Sequence, residues 1–177
     1  MQIETERIKL RRWERRDRAP FAEMNADPRV MEFMPACLSA EESGLLVDRI
    51  EDHFARHGYG LYAAELLANK QFIGFIGLQV PAFHAHFTPC VEIGWRLAAC
   101  YWGRGLATEG AAAVVKHASD ILDLRSLVSF TVPANIRSRR VMEKIGMTRN
   151  PSEDFDHPGL PEGHPLRWHV LYRLAKV

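Results

Sequence analysis

The chain of 177 residues is 47% apolar and 25% charged, the balance of a globule large enough to bury about two thirds of its extended-chain surface. A net charge of +1 predicts no general attraction to nucleic acid or membrane, no stretch approaches the roughly 18 apolar residues of a spanning helix, and three scattered cysteines do not make a disulfide scaffold. The opening MQIETERIKLRRWERRDR has no apolar run after its charges, which predicts no secretory signal and, by default, a cytoplasmic location for one domain spanning 1–177. Cys90 and Cys100, set among apolar residues, are expected to be core thiols.

Ile8, Leu10 and Trp13 alternate with charged residues, as in a strand with one solvated face. A short helix is expected to start near Asp17 or Ala19, with Pro20 in its first turn and Asp27-Pro28 at its end. Ser39 and Glu42 form a capping box. Behind it Leu46, Ile50 and Phe54 stripe a helix reaching His57, where Gly58 stops it. His53 and His57 are four apart, but no third ligand stands near them in sequence, so paired surface histidines are expected rather than a metal site. Residues 59–67 and 71–80 read as a hairpin whose second strand is the more apolar and central. The loop 81–89 carries His84 and His86 between phenylalanines, suited to lining a pocket or simply to packing the loop.

Residues 90–97 are a strand, and Trp102-Gly103-Arg104-Gly105 then turns into a helix with Ala107, Ala111, Val114, Val115 and Ala118 on one face. Two glycines bracketing an arginine before a helix start suit an anion, because unpaired first-turn N–H groups and the helix dipole both favour negative charge. The loop is not a Walker A motif, since Leu106 and Ala107 follow Gly105, and it is a poor dinucleotide fingerprint, since the third glycine, Gly110, comes five residues on. A further strand at 127–132 leads to Asn135 and Ser138, three apart at the start of a helix that Gly146 ends. The polar segment 150–165 and a last strand at 167–174 follow. Six or seven strands and about four helices predict an antiparallel meander of the second to fourth strands. A right-handed crossover then makes the fifth strand parallel to the fourth, and if this pair splays it opens a crevice beside the glycine loop.

EIGWRL followed by YWGRGLATEG, then NIRSRRVMEKIGM, and the opening ETERIKLRRW together resemble the GNAT N-acetyltransferase superfamily, within it the RimJ/RimL-like branch, across roughly residues 4–174. The resemblance implies the α/β (α+β) GNAT fold, a mixed, twisted six- to seven-stranded sheet flanked by about four helices with its fourth and fifth strands splayed. It implies acetyl-CoA as cosubstrate, with no metal. The pyrophosphate would lie on Arg104 and the amides from Gly103 through Gly105 to Ala107, with Trp102 where the family usually has Gln or Arg. Asn135 would meet the pantetheine arm and Ser138 its sulfur end, and Ile93, Trp95, Leu97, Leu106 and Thr108 complete the expected cofactor contacts. The implied reaction is direct transfer of the acetyl group to a primary amine of a small molecule or of a protein or peptide N-terminus. A non-catalytic module that binds or senses coenzyme A is the alternative.

Direct transfer requires a base for the amine's proton, donors for the developing charge on the carbonyl oxygen, and a group to stabilise the leaving thiolate. Glu92, an acid among apolar strand residues, is the expected base or proton relay, against a plain ion pair or a solvent-facing side chain; Ser138 is the expected thiolate donor, with Tyr172 in reserve. Glu109, in a helix's first turn, reads as structural or cofactor-adjacent. The acceptor side is expected from 34–44, 81–89 and 154–166, where Asp154, Asp156 and Glu162 would suit a cationic amine and His164 a proton relay, unless this is a polar surface loop. The amine itself stays open, as does a homodimer paired through exposed aromatic residues near the last strands.

Overall fold

The computed structural model describes residues 2–175, so positions 1 and 176–177 of the expected domain lie outside the described residues. Nine strands form the sheet: β1 (Ile3–Glu4), β2 (Ile8–Arg11), β3 (Leu61–Leu66), β4 (Phe72–Gln79), β5 (Glu92–Leu97), β6 (Ser126–Thr131), β7 (Thr148–Arg149), β8 (Phe155–Asp156) and β9 (Trp168–Ala175). The helices are α1 (Arg18–Ala26), α2 (Ala40–His57), α3 (Leu106–Asp120) and α4 (Ile136–Lys144). The sheet runs β1-β2-β3-β4-β5-β6-β9-β7, with β8 added beside β9. The expected fold is present, and the strands beyond the anticipated six or seven come from two-residue pieces, β1, β7 and β8, too short to show a period.

Helix boundaries follow local chemistry. Ser39 Oγ accepts from Glu42 N at 3.1 Å while Glu42 returns a carboxylate oxygen to Ser39 N at 2.7 Å, and Gly58 closes α2 at φ 77°. Val47, Ile50 and Phe54 bury the helix's inner face, whereas Leu46 stays half-buried and looks into a cavity. α1 sets Phe21 against Phe75 of β4, and α3 covers β4 and β5 with Leu106, Ala111, Val114 and Ala118. Arg11 ties the interior of the N-terminal strand to Asp17 and Glu65, at 2.7 and 2.8 Å. Cys90 is half-buried, but Cys100 is exposed, since the turn after β5 carries it outward instead of into the core.

β3, β4 and β5 pair antiparallel as a meander. β5 and β6 are parallel and bridge only at Glu92↔Val128, next to a Val128 N–H bond to Val91 O of 2.9 Å. Beyond Glu92 the two strands part, which is the expected splay, and the gap opens toward the loop leading into α3.

At the sheet's centre β4 has room for hydrogen alone at Gly77, because a Cβ there would stand 2.1 Å from Gly60 O and 2.8 Å from Leu61 Cα. Both neighbours are backbone and can yield only by moving a strand. Gly77→Ala is expected to cost at least about 2 kcal/mol, the order of an overpacked core, read as a lower urea midpoint at unchanged slope. An unchanged midpoint would contradict the strand spacing.

Candidate active site

The loop before α3 is shaped by two left-handed residues, Gly103 at φ 73° and Gly105 at φ 78°, the latter being the helix's N-cap. Glycine adopts this conformation without the penalty that a Cβ brings. No side chain caps α3, so first-turn amides are left to an outside acceptor, as an anion site requires. The loop is braced from behind. Arg7 donates to Arg104 O at 3.0 Å and pairs with Glu109 at 2.6 Å, and Thr5 Oγ1 donates to Glu109 at 2.6 Å. Partial burial would raise the Glu109 pKa, but the Thr5 and Arg7 donors outweigh it and hold the carboxylate below its ordinary range. Glu109 is therefore a structural strut between the N-terminal strand and α3.

A cavity of about 290 Å³ runs from this loop past the end of β5 to the start of α4. Of the residues expected to touch the cofactor, Trp95, Leu97, Trp102, Gly103, Gly105, Leu106, Ala107, Thr108, Asn135 and Ser138 border it. Two expected members lie elsewhere. Ile93 is fully buried in the core, its side chain turned to the opposite face from Glu92, and the exposed Arg104 lays its guanidinium 5.5 Å from the Tyr101 ring, outside the cavity lining. The cations at the border are instead Arg29, Arg96, Arg137, Arg140 and Lys144. Arg137, Arg140 and Lys144 are spaced i, i+3, i+7 on α4, so one helical face presents them, and Arg137 stacks over the Trp102 ring at 4.3 Å. That spacing was visible in RSRRVMEK but lay in the shadow of the helix's apolar stripe.

Asn135 is the N-cap of α4. Its Oδ1 accepts from Ser138 N at 3.2 Å and its Nδ2 donates to Thr131 Oγ1 at 3.0 Å, so the side chain holds the helix start in place. Ser138, half-buried, turns toward both this cavity and a second, larger one of about 560 Å³. Phe33, Met34, Trp95, Arg96, Asn135 and Ser138 border both spaces, which therefore adjoin at these residues.

Glu92 lines the larger cavity. It is only 9% exposed, its one hydrogen bond is from Gln79 Nε2 at 2.8 Å, and no cation is paired with it among the described residues. Burial pushes its pKa up to about 7, against a smaller opposing effect of the Gln79 bond. A carboxyl poised there can take up and release a proton near neutrality. Tyr172, by contrast, gives its hydroxyl to Glu143 at 2.8 Å and borders neither cavity.

The acidic residues anticipated on the acceptor side are spent elsewhere. Asp154 is held by Arg149, Asp156 pairs with Arg167 at 3.2 Å, and Glu162 is exposed; none of the three borders the larger cavity. His164 caps its own turn, accepting from Leu166 N at 3.1 Å, and also lies outside the lining. What the region supplies is aromatic: Phe83 and Phe130, 5.7 Å apart, with His157 and His169, 5.1 Å apart. Burial lowers the pKa of both histidines. His84 and His86 border neither cavity, and His53 has both ring nitrogens engaged, with Tyr59 O at 2.9 Å and Val80 N at 3.0 Å. No helix among the described residues is long and apolar enough to cross a membrane.

The site thus consists of a splayed parallel pair, a glycine loop opening a helix in front of it, and two adjoining cavities. The chain belongs to the acetyltransferase (GNAT) domain family, whose profile matches residues 7–148. Over 174 residues it is 30% identical to YnaD of Bacillus subtilis (strain 168), an uncharacterized N-acetyltransferase, covering 97% of this chain and 95% of that one. Among solved structures, a GNAT-family acetyltransferase from Bacillus anthracis is similar at 26% identity and a TM-score of 0.81, over 99% of this chain and 98% of that one. RimJ of Mycobacterium smegmatis, solved in complex with CoA-disulfide, shares the fold at 20% identity and a TM-score of 0.74, over 95% and 81% of the two chains.

Proposed function

We propose that this protein is an acetyl-CoA-dependent N-acetyltransferase of the RimJ/RimL-like branch, which passes the acetyl group directly to a primary amine. The observation that carries the reading is the junction of the two cavities at Trp95, Asn135 and Ser138, with Glu92 on the far side from the glycine loop. Direct transfer needs such a through-passage, because donor and acceptor must meet without exchanging places.

The smaller cavity suits a long polyanionic thioester. Uncapped amides of the α3 start, with Arg137, Arg140 and Lys144 facing them, would hold its phosphates, and the β5/β6 gap would admit its arm. Bound there, acetyl-CoA supplies an activated acyl carbon. Glu92 accepts the amine's proton, directly or through one water, since its raised pKa leaves much of it ionised at neutral pH yet basic enough to act. Backbone N–H groups where β5 leaves its partner are candidate donors to the carbonyl oxygen. Ser138 Oγ stands at the junction as a hydroxyl donor to the departing sulfur.

The test is thiol release from acetyl-CoA across a panel of amines, from amino acids and polyamines to short peptides with varied N-termini. At least one class should exceed the rate without enzyme by orders of magnitude. Tight binding of acetyl-CoA with no release above background throughout would favour the non-catalytic coenzyme A module instead.

A further inference from the structure

Side chains alternate along a strand, so Glu92, Gly94 and Arg96 share one face of β5. Gly94, between them, has no side chain and leaves a bare strip of floor. A Cβ added at Gly94 would lie 3.8 Å from Glu92 Oε1 and 4.0 Å from a Leu61 methyl, so the position admits a small group without a clash. The larger cavity therefore has a carboxyl on one side of this strip and a guanidinium on the other.

Arg96 is held entirely by neutral groups. It donates to Asn25 Oδ1 at 2.8 Å and to Met34 Sδ at 3.2 Å, and it lies 5.4 Å from the Phe75 ring centroid. No carboxylate is paired with it among the described residues, whereas Arg11, Arg149 and Arg173 each close on one. Burial without an anion in return lowers its pKa to about 10. A guanidinium has five N–H donors, and a desolvated one with only two neutral acceptors is short of a negative partner. Planar carboxylate is the partner that its fork fits best. Phe83 and Phe130 bound the same cavity and offer an apolar wall.

We infer that the acceptor is a small amino acid-like molecule, an amine carrying its own carboxylate and an apolar or aromatic side group. The carboxylate sits on Arg96, the amine faces Glu92 across the Gly94 floor, and the side group lies against Phe83 and Phe130. This rests on the acetyl-transfer reading of the same site. Arg96 is then a specificity residue, selecting the acceptor by charge.

The experiment compares phenylalanine with phenylalaninamide, and leucine with leucinamide, as acceptors for wild type, Arg96→Met and Arg96→Lys. Wild type should favour each acid over its amide by about 10- to 100-fold in kcat/KM, the range of one charge-assisted contact. Arg96→Met should abolish that ratio, acid and amide then being used alike, and Arg96→Lys should keep part of it. A merely structural Arg96 would lower both substrates together and leave the ratio intact, which would overturn the inference. So would equal use of acid and amide by wild type, an outcome that leaves acetyl transfer itself standing. If no amine is turned over, thermal shift of the coenzyme A-loaded protein decides: stabilisation by phenylalanine and not by phenylalaninamide upholds the Arg96 site, and equal or absent stabilisation removes it.

Discussion

Glu92→Gln is expected to slow acetyl transfer by about 100- to 10,000-fold, the usual worth of a positioned base, while coenzyme A binds with wild-type affinity. The substitution preserves size and the contact with Gln79, and Glu92 does not border the smaller cavity, so binding has no reason to change. The pH profile of kcat/KM should lose its limb near 7, the pKa to which burial raises this carboxyl, and keep only the acceptor amine's own titration. Stability should move the other way. The folded pKa lies above the ordinary 4.5, so the stability Glu92 contributes as a neutral acid is complete below that value and is lost as pH rises through about 7. Glutamine stays neutral throughout. The variant should therefore match wild type near pH 4 and exceed it at pH 9 by on the order of 3 kcal/mol, measured by urea unfolding. Full activity in Glu92→Gln would remove the residue from the mechanism, whatever its effect on stability.

Gly105→Val carries the second large effect. The N-cap of α3 sits at φ 78°, where a β-branched residue is strained, so valine would shift the backbone whose amides are to meet phosphate. The fold should tolerate the change, because the nearest atom to a Cβ is Arg7 Nη2 at 3.5 Å, an ordinary contact. Losing even two charge-assisted hydrogen bonds should raise the Kd for coenzyme A by about 100-fold or more. Calorimetric titration checks this alongside a thermal melt that confirms folding. Tight binding retained by the variant would move the pyrophosphate away from this loop.

Much of this layout was legible in the sequence because it rests on local rules. The Ser39–Glu42 box, Gly58, Gly105 and Asn135 each mark a helix end by their own backbone chemistry, and the meander followed by a crossover leaves few ways to order the strands. The splay of β5 from β6 follows from that order together with the family resemblance. What stayed hidden depended on partners distant in the chain. Asp154 and Asp156 suggested an acidic acceptor site by composition, but Arg149 and Arg167 neutralise them outside the cavity. Arg104 drew attention for its place between glycines, yet its side chain leaves the loop for Tyr101, and the cations that border the cavity come from α4, from Arg29 and from Arg96 of β5. Arg96 gave no sign of its isolation, since a missing ion pair is visible only once every neighbour has a position. Cys100 looked apolar by its neighbours but falls where the chain turns outward.

The central claim is that the joined cavities carry an acetyl group from thioester to amine in one step. Its most direct test incubates the protein with acetyl-CoA and the amine panel and follows free thiol and N-acetylated product together, the latter by mass spectrometry. The account predicts one acetylated amine for each thiol released, at a rate that falls in Glu92→Gln. Thiol release without an acetylated amine, or none above the uncatalysed rate with any acceptor, would contradict it.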